Sequence, residues 1–234
     1  MRNAGTDDEG TRLISRPSEW ADVAPELDNE EVKLASYDQT LLNLLGQIEG
    51  QRILDYGCGP GVLASVLDRR KAEVRAYDIS PDMRQRTAEK IGPDHVYAKR
   101  NDIPQNSFDS VICNLVLCIV EEETVLNIAR DVKDAVHNGG NIYAGLCNPL
   151  IFQIPESQLD FRYPTGKGYG DNHRYQKTKK EGGYQIMEEH RPIEWYEQSF
   201  QESGLVVVKK HFTPEYLLKE RKIRDFVIFE MKRE

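Results

Sequence analysis

The sequence predicts an α/β fold, in which helices cover both faces of a mostly parallel sheet that has an antiparallel edge. Strand-like and helix-like segments alternate from Gln51 to Cys147, and such alternation is typical of parallel sheets. The stretch 148–190 interrupts the alternation with prolines, glycines and tyrosines, and the alternation resumes after it. We therefore expect a flexible segment over 1–28 and a single domain over 29–234, with a lid inserted at about 148–190.

The elements before residue 92 follow from the spacing of their apolar residues. The segment 29–50 is predicted as a helix. Arg52–Asp55 is predicted as a strand, and Val62–Asp68 as the helix that follows it. Residues 73–80 (EVRAYDIS) are predicted as the next strand. Ser80 then suits the N-cap of a helix, because its hydroxyl can accept a hydrogen bond from the first turn.

The alternation continues up to residue 147. Two strands are predicted in succession, at 95–102 (HVYAKRND) and at 108–117 (FDSVICNLVL). A helix is predicted over 122–136, and the sequence HNGG at 137–140 is expected to stop it. The strand 141–147 (NIYAGLC) completes this part of the sheet.

The remaining elements include the lid and the antiparallel edge. Residues 173–190 are predicted as a hairpin that turns at Glu181-Gly182-Gly183. The segment 191–204 is predicted as a helix, with Pro192 near its start and Gly204 just beyond its end. Two β-rich segments follow, LVVVKKHF and IRDFVIFEMKR, and we expect them to pair antiparallel at a sheet edge.

The composition is that of an ordinary globular protein. The chain has 234 residues, of which 39% are hydrophobic and 30% charged. Its net charge of -8 argues against general nucleic-acid binding. The four cysteines form no CxxC pair, which favours reduced thiols in a cytoplasmic protein without a metal site. The apolar run Val111–Val120 is too short to cross a bilayer, and the first twenty residues lack the apolar core of a signal peptide.

A glycine-rich loop, DYGCGPG, follows the first strand of the alternating region. It has no Gly-Lys-Ser/Thr triplet, and its G-x-G-x-G spacing differs from the G-x-G-x-x-G of dinucleotide folds. We expect backbone N–H groups to face a ligand here. Asp55 would repel a pyrophosphate but can receive an ammonium group. Asp78 and Asp102 end the next two strands, where they can accept hydrogen bonds from a ribose and from an exocyclic amine. S-adenosylmethionine carries all of these groups.

Four motifs resemble those of the class I S-adenosylmethionine-dependent methyltransferases: ILDYGCGPG, AYDIS, RNDIP and FDSVICNLVLCIV. The resemblance covers Gln51 to Cys147 and returns at HRPIEWYEQSFQESGL. It implies a Rossmann-like methyltransferase fold with S-adenosylmethionine as cofactor. The positions that it assigns to the cofactor comprise the methionine-binding loop (Asp55, Gly57, Cys58, Gly59, Gly61), the ribose site (Asp78, Ile79), the adenine site (Asp102, Ile103) and two residues after the fourth strand (Asn114, Leu115).

The acceptor site is less well marked. Relatives often carry histidines where this chain has Cys118 and Ile119. His190 is the candidate catalytic residue, at the predicted mouth of the lid, and the alternative is a solvent-facing residue at a helix entry. The candidate substrate-binding residues are Tyr37, Cys118, Tyr169 and His173, for which core packing is the alternative.

The lid is rich in basic and aromatic residues. Within 162–180 it carries Arg162, Lys167, Arg174, Lys177, Lys179 and Lys180 against the single acid Asp171. Such a segment can close over a small molecule or bind RNA, tRNA included. The first hypothesis is therefore methyl transfer to an O, N or C atom of a small molecule. The alternatives are an RNA or protein methyltransferase, and a module that binds the cofactor without turnover.

Overall fold

The computed structural model describes residues 12–14, 16–27, 38–153, 163–179, 184–218 and 220–234. Its strands are β1 (Arg12–Ile14), β2 (Arg52–Tyr56), β3 (Glu73–Tyr77), β4 (Phe108–Asn114), β5 (Val136–Cys147), β6 (His173–Lys179), β7 (Tyr184–His190), β8 (Leu205–Phe212), β9 (Tyr216–Leu218), β10 (Arg221–Ile223) and β11 (Phe226–Arg233). Its α-helices are α1 (Ala24–Leu27), α2 (Gln39–Leu45), α3 (Val62–Arg69), α4 (Pro81–Ile91), α5 (Glu122–Ala135) and α6 (Ile193–Glu202).

The central sheet has six strands in the order β3-β2-β4-β5-β11-β8. Its first four strands run parallel, and β11 is antiparallel to both β5 and β8. The α/β fold and the antiparallel pair at its edge are thus confirmed. Because the four parallel strands share one direction, their carboxyl ends meet at one edge of the sheet.

Helices pack on both faces of the sheet. On one face, α2 and α3 bury apolar side chains against Ile53 of β2 and Ile112 of β4. On the other face, α5 and α6 pack against Leu54 and Val111 of the same two strands. Adjacent strand residues therefore belong to opposite core layers, as the period of two in a strand requires.

A second sheet stands apart from the central one. Strands β6 and β7 form the predicted antiparallel hairpin, whose turn residues 181–183 lie outside the described part of the chain. Strand β1 adds to β7 in parallel. Ile14 is 1% exposed and packs with Val23 and Ile186. This part of the segment 1–28 is therefore folded onto the hairpin, whereas the sequence predicted flexibility.

Three predicted elements differ in the structure. The strand predicted at 95–102 is reduced to a single bridge between Val96 and Ala76, because a 3-10 turn, Arg100–Asp102, follows it. The helix ends at Ala135, just before HNGG, but the strand predicted at 141–147 begins earlier: β5 starts at Val136, and residues 137–140 form a bulge between its pairs Val136–Phe108 and Asn141–Ser110. The helix predicted over 29–50 ends at Leu45, and its part before residue 38 lies outside the described residues.

Candidate active site

The glycine loop joins β2 to α3 at the carboxyl edge of the sheet. Gly57 and Gly61 have φ of 79° and 82°, which disfavour residues with a side chain. A Cβ at Gly57 would collide with the side chain of Val116, and one at Gly61 would lie 2.9 Å from Thr87 Cα. Glycine is therefore needed at both positions, where the loop packs tightly against its neighbours.

The backbone N–H groups of the loop are engaged within the protein. Gly57 N and Cys58 N both donate to Tyr77 O, at 2.7 and 3.1 Å. Gly59 N donates to Asp78 Oδ2 at 2.9 Å, and Gly61 N donates to Cys58 O at 3.1 Å. The expectation that these groups face a ligand is wrong, because three of them donate to Tyr77 and Asp78 at the end of β3 and the fourth donates within the loop.

Helix α4 holds the other side of the loop. Thr87 Oγ1 donates to Gly59 O at 2.9 Å, and Lys90 Nζ donates to Pro60 O at 2.6 Å. Arg84 Nη1 donates to Asp78 O at 2.7 Å. The loop is thus fixed by side chains from a packed helix, which is the arrangement that pre-forms a binding site.

A cavity of about 60 Å³ opens beside the loop, lined by Asp38, Asp55, Gly57, Cys58, Gly59, Leu63 and Asn114. Asp38 and Asp55 are each 2% exposed. Among the described residues that line the cavity, none carries a positive charge. Burial, and next the charges of Asp55 and Asp78, raise the pKa of the Cys58 thiol well above its ordinary value. The cavity is therefore acidic and suits a cationic group.

Asn114 and Asp38 meet across this cavity. Asn114 Nδ2 donates to Asp38 Oδ1 at 3.0 Å. The Asn114 side chain lies over Gly145 on the neighbouring strand, where a Cβ would collide with it. Leu115 follows with φ of 57°, and its N–H donates to Gly145 O at 2.8 Å. Sequence reasoning missed Asp38, because it lies at the start of a short helix without any motif.

The predicted ribose and adenine residues lie outside the lining of the cavity. Both carboxylate oxygens of Asp78 accept backbone hydrogen bonds, from Gly59 N and from Ser80 N. Ile79, beside it, is 64% exposed. Asp102 is exposed and accepts from Lys99 N at 3.1 Å, while Ile103 packs against the core. The cavity thus brings together part of the predicted cofactor set, namely Asp55, Gly57, Cys58, Gly59 and Asn114.

His190 is buried at the end of β7, so the solvent-facing alternative is wrong. Its Nε2 lies 3.0 Å from Tyr169 O. Burial lowers the pKa of His190 to about 4. Its ring stacks on that of His173, with 4.8 Å between the ring centroids. The structure therefore brings the candidate acceptor residues Tyr169, His173 and His190 together, whereas Tyr37 lies outside the described residues.

A second, smaller cavity of about 10 Å³ borders His190. Its other lining residues are Cys118, Cys147, Pro149, Phe152, Tyr175, Glu189, Arg191 and Tyr196. Cys118 is thus a cavity residue as well as a core residue.

Three basic side chains described in the segment 148–190, those of Lys167, Arg174 and Lys177, pair with acidic neighbours. Lys177 is buried, and its Nζ lies 3.2 Å from Glu188 Oε1 and 3.1 Å from Cys147 Sγ. Arg174 pairs with Glu189 at 3.3 Å, and Lys167 with Asp171 at 3.8 Å. The hairpin therefore does not present these three cations as an unpaired basic surface.

The fold also assembles a group that the cysteine spacing did not indicate. Cys118, Cys147 and Glu188 place their possible metal-ligand atoms within 4.8 Å of one another, the one such group among the described residues. Lys177 Nζ lies against two of these three residues. A protein cation thus already neutralises this group.

In the part of the chain that the structure describes, we find no helix with the length and apolar character of a membrane span.

Comparison with known proteins finds similarity to methyltransferases in the middle of the chain. Residues 54–144 match a family model described as a methyltransferase domain. A ubiquinone biosynthesis O-methyltransferase from Methylocella silvestris is 36% identical over 125 residues, which cover 51% of this chain and 48% of that protein. A ribosomal protein L11 methyltransferase from Ralstonia pickettii is 37% identical over 71 residues, which cover 29% of this chain and 24% of that protein. The chain thus matches about half or less of the length of these curated relatives.

Structural similarity covers more of the chain than sequence similarity does. An S-adenosylmethionine-dependent methyltransferase from Mesorhizobium loti superposes with a TM-score of 0.59 at 21% identity, covering 84% of this chain and 97% of that one. A parallel sheet with a glycine loop and a cavity at its carboxyl edge defines the class of Rossmann-like, nucleotide-cofactor-binding domains. Within this class, the segment 54–144 is similar to a methyltransferase domain, and the chain resembles the S-adenosylmethionine-dependent methyltransferases.

Proposed function

We propose that this protein transfers the methyl group of S-adenosylmethionine to a small-molecule acceptor. The observation that carries the proposal is the acidic cavity at the carboxyl edge of the sheet. Two buried carboxylates, Asp38 and Asp55, line it without a cationic side chain among the described lining residues. S-adenosylmethionine brings an ammonium and a sulfonium charge, and a cavity lined by carboxylates attracts such charges.

The site fits one end of this cofactor. The cavity of about 60 Å³ is smaller than the several hundred Å³ of a typical site for a ligand of this size. We therefore assign the methionine end to the cavity, with Asp55 and the glycine loop. Asp78 lies beside the glycine loop, because it accepts a hydrogen bond from Gly59 N, and the next residue, Ile79, is exposed. We assign the ribose to these two residues. Asp102 and Ile103 remain our assignment for the adenine.

Methyl transfer requires mainly that the methyl donor and the acceptor be aligned. The bound cofactor supplies a methyl group that is already activated by its positive sulfur. The protein must hold the acceptor in line with that methyl group and exclude water. The fixed glycine loop orients one partner, and the segment 148–190 at the same edge of the sheet holds the other. A base is needed only where the acceptor must lose a proton.

RNA is the second candidate acceptor, because the lid is basic in sequence. The pairing of Lys167, Arg174 and Lys177 with acidic neighbours argues against it. Phosphate contacts require cations that face the solvent, and Lys177 is 4% exposed. The small-molecule acceptor is therefore the better supported of the two.

The test uses S-adenosylmethionine labelled in its methyl group. The full chain is incubated with a panel of small phenols, amines and carboxylates, or with total tRNA, and label in the product is counted. We expect transfer to a small molecule, and its loss in Asp55→Asn. Asp68→Asn, an exposed change on α3, is the matched control. Label in tRNA alone, lost at high salt, would favour the second candidate.

A further inference from the structure

Two cysteines from distant parts of the chain meet at the end of β5. Cys118 lies in the 3-10 turn Leu117–Ile119, which follows β4, and Cys147 is the last residue of β5. Their sulfur atoms lie within 4.8 Å of each other, in hydrogen-bond contact. The fold thus joins two thiols that helix α5 and most of β5 separate in sequence.

The Cys147 sulfur faces a cation. Lys177 Nζ donates to Cys147 Sγ at 3.1 Å. Lys177 also pairs with Glu188 Oε1 at 3.2 Å, which fixes the ammonium group in place. An ammonium group beside a sulfur stabilises the thiolate, and the thiolate is the nucleophilic form of cysteine. Cys147 is therefore placed to react first.

The Cys118 sulfur keeps its proton. Cys118 Sγ donates to Leu115 O at 3.7 Å. The hydrogen bond with Cys147, and next burial, raise the pKa of the Cys118 thiol well above its ordinary value. A reactive thiolate with a protonated thiol beside it suits a first oxidation followed by resolution to a disulfide. Cys118 is therefore the resolving partner.

The other two cysteines have different surroundings. Burial raises the pKa of the Cys58 thiol and of the Cys113 thiol. Cys58 Sγ lies 3.4 Å from Thr87 Oγ1, and Cys113 packs in the core between the sheet and α5. Among the described residues that border the second cavity, the cysteines are Cys118 and Cys147. Oxidation should therefore select this pair.

The second cavity lets a small oxidant approach the pair. Its volume of about 10 Å³ has room for about one oxygen-sized atom. Cys147 is 8% exposed, and Cys118 is 5% exposed. Hydrogen peroxide needs to bring only one of its two oxygen atoms to the Cys147 sulfur, which fits this space.

We infer that Cys118 and Cys147 form a reversible disulfide when the chain meets hydrogen peroxide. The Cys147 thiolate attacks one peroxide oxygen, the O–O bond breaks, and the leaving hydroxide takes up a proton to become water. The Cys118 sulfur then attacks the sulfenic sulfur of Cys147, the S–O bond breaks, and the oxygen leaves as water with the Cys118 proton. Two thiols and one peroxide thus give one disulfide and two water molecules, with sulfur oxidised and peroxide reduced. The inference goes beyond the proposed function and does not depend on it.

The disulfide would tie the ends of β4 and β5 together. Leu115 N already donates to Gly145 O at 2.8 Å, just before the two cysteines. Bonded sulfur atoms are about 2.05 Å apart, so the 3-10 turn and its cysteine must move toward β5. We therefore expect oxidation to narrow the second cavity.

The test counts thiols in the full chain, which has four cysteines. The reduced protein is treated with stoichiometric hydrogen peroxide in the presence of a chelator, alkylated, digested and analysed by mass spectrometry. We expect the peptides of Cys118 and Cys147 to be joined, and dithiothreitol to restore both thiols. A folded chain that keeps all its thiols would overturn the inference, as would a disulfide between another pair. A product that links Cys147 to Lys177 through an oxygen atom would overturn it as well.

Three variants assign the two roles, each shown to be folded by circular dichroism. Cys118→Ser should stop at a sulfenic acid on Cys147, which dimedone traps, and Cys147→Ser should give neither the disulfide nor this adduct. Cys113→Ala, buried on β4, is the matched control and should form the disulfide like the native chain. Dimedone on Cys118 in Cys147→Ser, without dimedone on Cys147 in Cys118→Ser, would overturn the assignment of Cys147 as the attacking thiolate.

Discussion

At the scale of single residues, the acidic cavity depends on two side chains that are distant in sequence. Asp38 and Asn114 are 76 positions apart and share a hydrogen bond of 3.0 Å. Asn114 keeps its place because Gly145 leaves room for it. The cavity therefore combines a motif that a sequence can reveal with a carboxylate that only the fold brings in.

We expect Asp38→Ala to weaken S-adenosylmethionine binding by about tenfold or more. The change removes a buried carboxylate and leaves the Asn114 amide without this acceptor, and a hydrogen bond to a charged group contributes about 1.5–3 kcal/mol. Isothermal titration calorimetry measures the effect. Asp68→Ala, exposed on α3, should leave the affinity unchanged. If Asp38→Ala bound as tightly as the native chain, Asp38 would not belong to the site.

His190 should make the fold sensitive to acid. Its pKa lies at about 4 in the folded chain and at the ordinary 6.5 when unfolded. Between these values the unfolded chain binds more protons, so stability falls as the pH drops through this window. The single group contributes a slope of at most about 1.4 kcal/mol per pH unit. His173, Asp171, Tyr169, Tyr163 and Arg191 surround it.

Urea unfolding of the native chain and of His190→Phe, across the window from 6.5 to about 4, checks this prediction. The free energy of unfolding should fall less steeply in the variant than in the native chain. Parallel curves for the two proteins would mean that His190 keeps an ordinary pKa in the fold.

At the scale of elements, the β6–β7 hairpin is anchored by a buried ion pair. Lys177 and Glu188 are 3% and 2% exposed at their side chains. Burial alone would lower the pKa of Lys177, but Cys147 and Glu188 raise it above its ordinary value. Tyr175 donates to the same carboxylate. The pair therefore holds the hairpin, with Tyr175, against the end of β5.

We expect Lys177→Met to destabilise the protein by about 3–5 kcal/mol, because it leaves a buried carboxylate without its cation. Denaturant unfolding measures the change. Arg174→Met breaks a half-exposed pair on the same strand and should cost about 1 kcal/mol or less. The double variant Lys177→Met/Glu188→Gln should recover much of the loss. A single variant as stable as the native chain would refute the anchoring role.

The elements that the sequence predicted well share one physical property. Their signal was local: apolar periodicity in β2, α3, β4 and α5, and the cap at Ser80, whose Oγ accepts from Met83 N. The errors arose where neighbours decide the structure. Residues 137–140 follow the end of the helix as expected, but they are a bulge within β5, whose pairing with β4 jumps from Val136 to Asn141. Val96 forms only a single bridge with Ala76, because the chain soon turns into the 3-10 segment Arg100–Asp102.

The site was predictable to the extent that a motif marks it. Asp55 and the glycines were found because the strand–loop–helix pattern is local. Asp38, the engagement of the loop N–H groups and the stacking of His173 on His190 were not, because each depends on pairs far apart in the chain. The burial of His190 was likewise invisible, since its cover comes from Phe152 and Tyr169.

At the scale of the whole molecule, the parallel sheet brings its strand ends to one edge. The acidic cavity lies at the ends of β2 and β4. The second cavity lies at the end of β5, beneath the hairpin. The acidic cavity lies largely in the part of the chain that matches the methyltransferase domain, and the second cavity largely in the part that does not.

Calorimetric titration of the full chain with S-adenosylmethionine tests the central claim most directly, because that claim is that the acidic cavity holds this cofactor. We predict a single site per chain, tighter for the native protein than for Asp55→Asn, with a matching rise in the thermal unfolding midpoint. Absence of heat and of any thermal shift, for a chain shown to be folded by circular dichroism, would contradict the account.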